Sequence, residues 1–224
     1  MNYDALCKCL LFKHCNKDEF QELLSGIEFY IHTYNKGEFV ISEEEHNAKI
    51  GIILLGAVEV QKVFPTGKMV TLNRLKTSEV FGLSTLFSYD SYYPTSIVSL
   101  TRSKVLFLSQ KSVIELFNKE PEFLQQFLRF TSDRILFLNR KIEIFSFSTI
   151  REKITYFLFS EMKLQKSDQS IILPFAKRVW AEYLNIARTS LYRVLKEMKE
   201  EGIIDLKGRS ITIKKLDELK KEIL

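Results

Sequence analysis

The amino-acid sequence predicts an α+β protein in which a β-roll is followed by a long helix and then by a helix-turn-helix with a β-wing. The first observation is the distribution of glycine. Six of the eight glycines fall at positions 26 to 82, which predicts a region with many turns, and none falls in 83–201, which predicts helices. The second is the hydrophobic period, which changes near residue 111 from that of strands to that of helices. The third is the basic excess, which lies in one part of the chain.

Charge divides the 224-residue chain into a neutral part and a basic part. Residues 1–147 carry 17 basic and 17 acidic side chains, whereas residues 148–224 carry 16 and 11, which accounts for the whole formal charge of +5. This asymmetry indicates an anionic partner, either a nucleic acid or a membrane surface. A hydrophobic content of 46% excludes intrinsic disorder. The longest apolar stretch, 50–58, is far shorter than the roughly 18 residues of a membrane helix.

The segments between residues 29 and 110 are typical of strands. They are rich in β-branched and aromatic residues, and turn residues such as Asn35-Lys36-Gly37 and Pro65-Thr66-Gly67 separate them. A spacing of roughly 8–12 residues is typical of an all-β roll or barrel. The predicted strands are 39–41, 50–55, 58–63, 70–72, 97–100 and 105–108.

After a short predicted helix at 111–119, Pro121 opens a longer one, since proline is well tolerated in the first turn. Apolar or neutral residues then recur at alternating spacings of four and three, which is typical of a helix that pairs with a second helix. We interpret this seam as the interface of a two-fold symmetric homodimer. The alternative is that it packs on the β-roll, although a second apolar face, including Phe127 and Ile144, is available for that contact. The seam comprises Leu124, Leu128, Thr131, Ile135, Leu138, Ile142 and Phe145.

Residues 173–215 contain two predicted helices separated by a tight turn. The first lies near 177–184, and its small Ala181 allows a second helix to cross closely. Asn185 stands at the turn, where asparagine is the best substitute for glycine in a left-handed conformation. The second helix is predicted from about 187 to 199. The residues expected to be buried are Trp180, Ala181, Leu184, Leu191, Met198 and either Val194 or Leu195.

The exposed face of the second helix presents guanidinium and hydroxyl groups near its N-terminus. This arrangement suits insertion into the major groove, where arginine bridges guanine O6 and N7 and hydroxyls reach phosphates or bases. Two strands at 203–206 and 210–213 form a predicted wing with a basic tip, and 173–215 carries 10 basic and 5 acidic residues. The alternative is an amphipathic helical hairpin with a solvated charged face. The candidate DNA-contacting residues are Arg188, Thr189, Ser190, Tyr192, Arg193, Lys177, Lys207 and Arg209.

Short motifs are spread along nearly the whole chain. They are Leu11-Phe12-Lys13, then Lys36-Gly37-Glu38, Leu55-Gly56 and Phe81-Gly82, and ARTSLYRVLKEM at 187–198. With these motifs the sequence resembles the Crp–Fnr family, that of the cyclic-AMP receptor protein and the fumarate–nitrate reduction regulator. The resemblance implies a cyclic-nucleotide-binding-like β-roll (a double-stranded jelly-roll barrel), a dimerisation helix and a winged helix-turn-helix.

The stretch 187–198 is similar to the family's recognition-helix pattern, Ser-Arg-Glu-Thr-Val-Ser-Arg-Val-Leu-Lys-Glu-Leu. Arg188 and Arg193 match the family's base- and phosphate-contacting arginines. Thr189 replaces the usual glutamate, which accepts from cytosine amino groups. The resemblance therefore implies DNA binding and leaves the target sequence open.

The family's cyclic-nucleotide site is altered in this sequence. Members that bind cyclic nucleotide use a Gly-Glu pair for the ribose and an Arg-Ser pair, about ten residues on, for the phosphate. Leu83 stands at the position of the glutamate and Pro94 near that of the arginine, and without a guanidinium a buried phosphate loses its strongest contact. We expect no cyclic-AMP binding. The aromatic-rich segment 87–93 either encloses a different, less charged ligand or belongs to a self-filled core. The degenerate cassette comprises Gly82, Leu83, Ser84, Thr95 and Ser96.

Three N-terminal cysteines, Cys7, Cys9 and Cys15, are the candidate metal ligands. Iron–sulfur members of the family carry an N-terminal cysteine cluster and a distant fourth cysteine. This chain has no fourth cysteine, so His14 or an external ligand would have to complete a site. We favour reduced thiols that bind no metal, and predict no cofactor. An odd number of cysteines without a secretion signal is typical of the cytoplasm.

These observations predict a sensor domain at 1–120, with a cupin-like roll, a dimerisation helix at 121–147 and a winged helix-turn-helix at 148–224. The expected function is that of a homodimeric transcription regulator that reads a pseudo-palindromic operator on double-stranded DNA, contacts RNA polymerase and has an unknown effector or none. No nucleophile–base arrangement or phosphate-binding glycine loop is present, so we do not expect an enzyme. Because the longest apolar stretch is too short for a membrane helix, we expect no membrane partner. The alternative is a ligand-binding or scaffolding protein whose basic domain docks an acidic protein partner.

Overall fold

The computed structural model describes residues 2–43, 45–46, 48–89 and 92–223. The chain divides into two compact units, Met1–Asp133 and Arg134–Leu224. Each unit has its own hydrophobic core. The division falls inside the long helix, whereas the domain boundaries expected from the sequence, at 120 and 147, lie on either side of that helix. Those boundaries stay a prediction.

The first unit contains two four-stranded antiparallel sheets that form the β-roll. Their strand orders are β1-β8-β3-β6 and β2-β7-β4-β5. The strands are β1 (Phe29–Tyr34), β2 (Phe39–Ile41), β3 (Lys49–Leu55), β4 (Ala57–Val63), β5 (Met69–Lys76), β6 (Val80–Phe81), β7 (Ser96–Ser99) and β8 (Ser103–Ser109). All six predicted strands are confirmed, and β1 and β6 are additional.

Most helices of the first unit precede or follow its strands in the sequence, and the last of them continues into the second unit. A 3₁₀ turn, Leu10–Phe12, separates the first two. The side chain of Asn16 caps the second helix by accepting from the N–H groups of Asp18 and Glu19. In return, the Asn16 N–H donates to the Glu19 carboxylate. The helices are α1 (Tyr3–Cys7), α2 (Lys17–Leu24), α3 (Leu83–Leu86), α4 (Gln110–Lys119) and α5 (Pro121–Ser146).

The environment of strand β3 explains why its sequence is continuously apolar and does not alternate between apolar and polar residues. It is buried on both faces. Ile53 packs with the aromatic side chains inside the roll, whereas Ile50, Ile52 and Leu54 pack in the cluster that includes the N-terminal helices. A strand covered on both sides needs apolar residues at successive positions.

The second unit places the predicted helix pair on a small sheet. Its elements are α6 (Ile150–Gln165), β9 (Ser170–Ile172), α7 (Lys177–Leu184), α8 (Arg188–Glu200), β10 (Ile204–Lys207), β11 (Ser210–Ile213) and α9 (Leu216–Lys221). The sheet has three antiparallel strands in the order β10-β11-β9.

The two predicted wing strands are confirmed as the antiparallel pair β10–β11, and β9 is an additional third strand of this sheet. Strand β9 precedes the segment 173–215, at a position where the sequence predicted no strand. Three residues are too few to show a period, and only the middle one, Ile171, is buried. Its place in the sheet comes from pairing with β11, about forty residues later in the chain.

Within the part of the chain that the structure describes, we find no helix with both the length and the apolar character needed to cross a membrane.

Candidate nucleic-acid interface

The turn between α7 and α8 has the backbone conformation expected from the sequence. Asn185 is left-handed, with φ of 53°, and the N–H of Ile186 donates to the carbonyl of Ala181 at 3.0 Å. This hydrogen-bond pattern ends α7 sharply and redirects the chain into α8. Trp180 and Ala181 are fully buried in the core of the second unit, as predicted. The small side chain of Ala181 leaves room for the close crossing of the two helices.

Helix α8 buries one face and exposes the other. Leu191, Val194, Leu195 and Met198 are buried, so both alternatives for the third core position are occupied. Most of the predicted DNA-contacting residues lie opposite, within the first two turns. Ser190 is half-buried, and the exposed residues are Arg188, Thr189, Tyr192 and Arg193.

Two of these side chains have neighbours within the second unit. The Nη1 of Arg193 donates to the Oε1 of Glu197 at 2.7 Å, one turn further along α8. The Nζ of Lys177 lies 5.9 Å from the centre of the Tyr192 ring, which places the first residue of α7 beside the recognition face. Lys177 and Tyr192 therefore lie in one region with the arginines of α8, and their contact with DNA stays a prediction.

Both helices of the pair begin without a side-chain cap. Ala176 precedes α7 and Ala187 precedes α8, and neither can accept a hydrogen bond from the first backbone N–H groups. By contrast, Asn16, Ser109 and Thr149 cap α2, α4 and α6 with side-chain oxygens. Uncapped N–H groups at a helix N-terminus attract anions such as phosphate. We did not expect this feature, and its sequence signal is alanine where a capping residue is usual.

At the wing, the two predicted basic residues differ in their surroundings. Lys207 is exposed beside the turn at Gly208. The guanidinium of Arg209 donates to the carbonyl of Leu173 from Nε at 2.9 Å and from Nη2 at 2.5 Å, and the N–H of Leu173 donates to the Arg209 carbonyl at 2.9 Å. Arg209 therefore ties the wing to the segment before α7, and Lys207 is the more available cation.

In the β-roll, Gly82 of the degenerate cassette lies beside a buried tyrosine, Tyr93. The Tyr93 hydroxyl donates to the carbonyl of Lys49 and accepts from its N–H at 3.2 Å. Burial raises the pKa of Tyr93. Gly82 is left-handed, and a Cβ there would lie 2.3 Å from the Lys49 carbonyl oxygen and 2.8 Å from the Tyr93 hydroxyl. Only glycine fits this position without displacing the backbone of β3.

The other cassette residues are divided between core and surface. Leu83 packs against the core cluster that includes α2, and Ser84 is exposed. Thr95 is half-buried, and the Ser96 hydroxyl is buried and accepts from the Glu43 N–H at 3.2 Å. The structure therefore does not bring all five residues to a common site.

Near the cassette, the Lys62 ammonium contacts the Glu43 carboxylate and donates to the Pro94 carbonyl at 2.9 Å. Its charge is thus paired within the chain. The predicted aromatic segment 87–93 is partly described, since Asp90 and Ser91 lie outside the described residues. Within it, Phe87 and Tyr92 are exposed and Tyr93 is buried.

The N-terminal cysteines lie on or beside the first helical turns. Cys9 and Cys15 are buried in the core and Cys7 is half-buried. Burial raises the pKa of both the Cys9 and the Cys15 thiol to about 11. A thiol with such a pKa is protonated at neutral pH and a poor nucleophile or ligand. Among the described residues, no group of three His, Cys, Asp or Glu side chains is placed to hold a metal ion.

The predicted seam on α5 lies at the surface of the chain. From Leu128 onward, the aliphatic and aromatic members are about half exposed. Thr131 is half-buried, and its hydroxyl donates to the Phe127 carbonyl at 2.9 Å. The second face packs within the chain, with Phe127 in the core of the first unit and Ile144 in that of the second. Leu124 is half-buried, and the exposed seam residues are Leu128, Ile135, Leu138, Ile142 and Phe145.

Two family profiles match the chain in the order that the structure shows. The Cyclic nucleotide-binding domain profile matches residues 31–120, and the Crp-like helix-turn-helix domain profile matches residues 152–222. Together they span well over half of the chain. The protein belongs to the Crp–Fnr family.

Curated members of the Crp–Fnr family are similar to this chain over most of its length. The Global nitrogen regulator of Synechococcus elongatus is 24% identical, over 87% of this chain and 90% of the relative. The transcriptional activator protein FnrL of Cereibacter sphaeroides is 22% identical, over 87% and 81%. The cAMP-activated global transcriptional regulator CRP of Haemophilus influenzae is 20% identical, over 82% and 84%. Two of these relatives are named as regulators and FnrL as a transcriptional activator.

Solved structures of Crp–Fnr proteins share the fold. The Catabolite Activator Protein of Thermus thermophilus superposes with a TM-score of 0.56 at 19% identity, covering 96% of this chain and 98% of that one. A CooA variant from Carboxydothermus hydrogenoformans gives 0.52 at 17% identity, with 88% of both chains covered. The protein is thus a DNA-binding transcription regulator of the Crp–Fnr type, and the scaffolding alternative is not favoured.

Proposed function

We propose that the protein acts as a homodimer that binds a pseudo-palindromic operator, with helix α8 of each copy in the major groove. The N-terminal turn of α8 carries this proposal, because it combines exposed guanidinium and hydroxyl groups with N–H groups that Ala187 leaves uncapped. Guanidinium and hydroxyl groups bind base edges, whereas the uncapped backbone N–H groups bind phosphates. In a two-fold symmetric complex the half-sites lie about 34–36 Å apart, one turn of DNA.

Each predicted contact residue has a role that its position supports. Arg188 and Arg193 reach base edges and phosphates, and Thr189 offers a hydroxyl in place of the family's glutamate, which changes the preferred bases. Lys177, Ser190, Tyr192 and Lys207 bind the DNA backbone. Arg209 supports the wing through the Leu173 carbonyl, and its exposed side chain also contacts the DNA backbone.

The seam of α5 supports the homodimer. A row of half-exposed leucine, isoleucine and phenylalanine side chains is costly in a monomer and is typical of a surface that pairs. The heptad spacing suits an equivalent helix, so the second copy of the chain is the simplest partner. Two copies also present two α8 helices, which a palindromic site requires.

We further propose that cyclic AMP is not the effector. The cassette lacks a guanidinium, the Lys62 charge is paired with Glu43, and the interior of the roll is occupied by Tyr93, Phe81 and Phe107. The effector is a different ligand or is absent, and DNA binding needs no metal or prosthetic group. The regulator works in the cytoplasm, where DNA and RNA polymerase are its partners.

The test begins with selection of genomic DNA by the purified full chain, followed by affinity measurements on the selected site and on a scrambled duplex. We expect a palindromic site, a linear loss of log affinity with log salt as counterions are released, and no effect of cyclic AMP or a chelator. Arg188→Ala and Arg193→Ala should each cost about 1–3 kcal/mol of specific binding. Arg102→Ala, a change at an exposed arginine of the β-roll unit, is the charge-matched control.

Equal affinity for selected and scrambled duplex would contradict the proposal. So would intact specific binding in both arginine variants. Sedimentation tests the dimer: Ile142→Glu should produce monomers, whereas Ile114→Glu, at an exposed position on α4, should not.

A further inference from the structure

The second unit contains an open cleft of about 670 Å³ between the C-terminal half of α5, helix α6 and helix α9. A volume of this size matches the pockets that hold small organic ligands, which are roughly 300–1,000 Å³. The cleft lies in a different unit from the degenerate cassette. Neither the recognition face nor the seam accounts for it.

The walls of the cleft are mostly apolar. Tyr156 and Phe159 of α6 lie against the core of the second unit and form one wall. Leu136 and Leu164 flank it with about half of each side chain exposed, and Ile223 contributes from the C-terminal end. Aromatic and aliphatic walls of this kind favour the body of an apolar ligand over water.

Cations surround this apolar space. Arg140, Lys163 and Lys220 line the cleft, with Glu143 as the single carboxylate, so the lining carries a net positive charge. Across the described ranges, neither Arg140 nor Lys163 has a carboxylate within 4.0 Å, and Lys220 has only Asp217 at 3.6 Å. Asn139 and Ser160 add neutral hydrogen-bonding groups. Such a rim is complementary to an anionic head group.

The cleft is separate from the dimer seam on the same helix. Its α5 residues Leu136, Asn139 and Glu143 each follow a seam residue and point about 100° away from it around a helix of 3.6 residues per turn. Arg140 lies further round, on the side opposite the seam. A second copy that pairs along the seam therefore leaves this face for another occupant. The unpaired cations favour a small anion over an apolar helix, which would bury them without partners.

We propose that this cleft is a binding site for a small amphipathic carboxylate, with an aliphatic body on the apolar wall and its head between Arg140 and Lys163. A ligand there joins the C-terminal half of α5, which carries part of the seam, to α6 and α9 of the same unit. This ligand site is additional to the proposed DNA-binding function. Ligand binding can be measured without DNA, so the two proposals can fail independently.

The experiment is calorimetric titration of the full chain with dodecanoate, kept below its micelle concentration. We expect one molecule of dodecanoate bound per chain. Dodecyltrimethylammonium, whose head is cationic, should bind with an affinity at least about tenfold lower. The double variant Arg140→Gln, Lys163→Gln should weaken dodecanoate binding by a similar factor. The control, Arg102→Gln with Lys111→Gln, removes the same charge from exposed positions in the other unit and should leave binding unchanged.

Leu164→Asp places a carboxylate on the exposed edge of the wall and should also weaken binding without unfolding the chain. Absence of saturable binding would overturn the proposal, as would equal affinity for the cationic probe or for the double variant. If the double variant instead shifts the monomer–dimer equilibrium and dodecanoate does not bind, the second copy covers the cleft and the proposal is wrong.

Discussion

Arg151 and Glu201 form a bidentate ion pair between residues that are fifty positions apart in the sequence. The Nη1–Oε1 distance is 2.9 Å and the Nη2–Oε2 distance is 2.5 Å, and Nε lies 2.9 Å from a carboxylate oxygen of Glu222. Arg151 stands in the first turn of α6, Glu201 at the C-terminal end of α8, and Glu222 just after α9. One guanidinium thus connects three helices of the second unit.

This ion pair predicts a pH dependence of stability. The hydrogen bonds from Arg151 hold the pKa of Glu201 below its ordinary value of 4.5. Because the folded-state pKa is depressed, the stabilisation is fully present above pH 4.5 and is lost as pH falls through the folded-state value. Glu201→Gln should therefore show a flatter fall of unfolding midpoint between pH 5 and pH 3 than the unchanged chain. Glu200→Gln, on the adjacent exposed residue, is the control, and identical pH profiles for all three proteins would contradict the prediction.

The uncapped start of α8 predicts that stability and DNA affinity change in opposite directions. Ala187→Asn and Ala187→Asp supply the missing acceptor and should stabilise the helix by about 0.5–2 kcal/mol. Both side chains occupy the N–H groups that bind phosphate in our proposal, so DNA affinity should fall, and further for aspartate because of its charge. Thermal unfolding and DNA titration on the same samples measure the two effects. Unchanged DNA affinity in the aspartate variant would show that these N–H groups do not contact DNA.

Lys141 predicts a link between α5 and the helix pair. Its ammonium donates to the Tyr183 carbonyl near the end of α7 and lies 4.3 Å from the centre of the Tyr183 ring, and burial lowers the Lys141 pKa. Lys141→Met keeps the length of the side chain and leaves the carbonyl without its donor, at a cost of about 1–2 kcal/mol. The free energy of unfolding of the second unit should fall by this amount. Lys153→Met, at a partly exposed lysine of α6, is the control; an equal loss in both variants would refute a specific role.

Gly82 and Gly67 form a matched pair for the β-roll. Both have a positive φ, but a Cβ at Gly67 meets nothing within 4 Å, whereas one at Gly82 meets the Lys49 carbonyl. Gly67→Ala should cost about 1 kcal/mol for the left-handed backbone alone. Gly82→Ala should cost clearly more, because the backbone of β3 has to move. Equal losses in chemical denaturation would mean that the close approach at Gly82 does not constrain the roll.

Local features were the ones that the sequence could reveal. Asn185 and Ala181 define the turn of the helix pair because the backbone conformation and the helix spacing depend on near neighbours. Strand β9 was missed because a three-residue strand is defined by a partner about forty residues away. The substitutions at Leu83 and Pro94 indicated an altered cassette, but the position of the Tyr93 hydroxyl on the Lys49 backbone depends on packing across the roll. The cleft beside α5 was likewise not predicted, because its lining residues come from three helices that are far apart in the sequence.

The two-sided burial of β3 sets the smallest piece of the chain that can fold as a sensor. The similarity to cyclic-nucleotide-binding domains begins at residue 31, after α1 and α2. A fragment cut there would remove Leu6, Phe12 and Phe20 from the core cluster that buries Ile50, Ile52 and Leu54, and so would uncover part of that cluster. The segment that matches the domain profile and the segment that buries β3 therefore have different N-terminal limits, and the second includes the first two dozen residues.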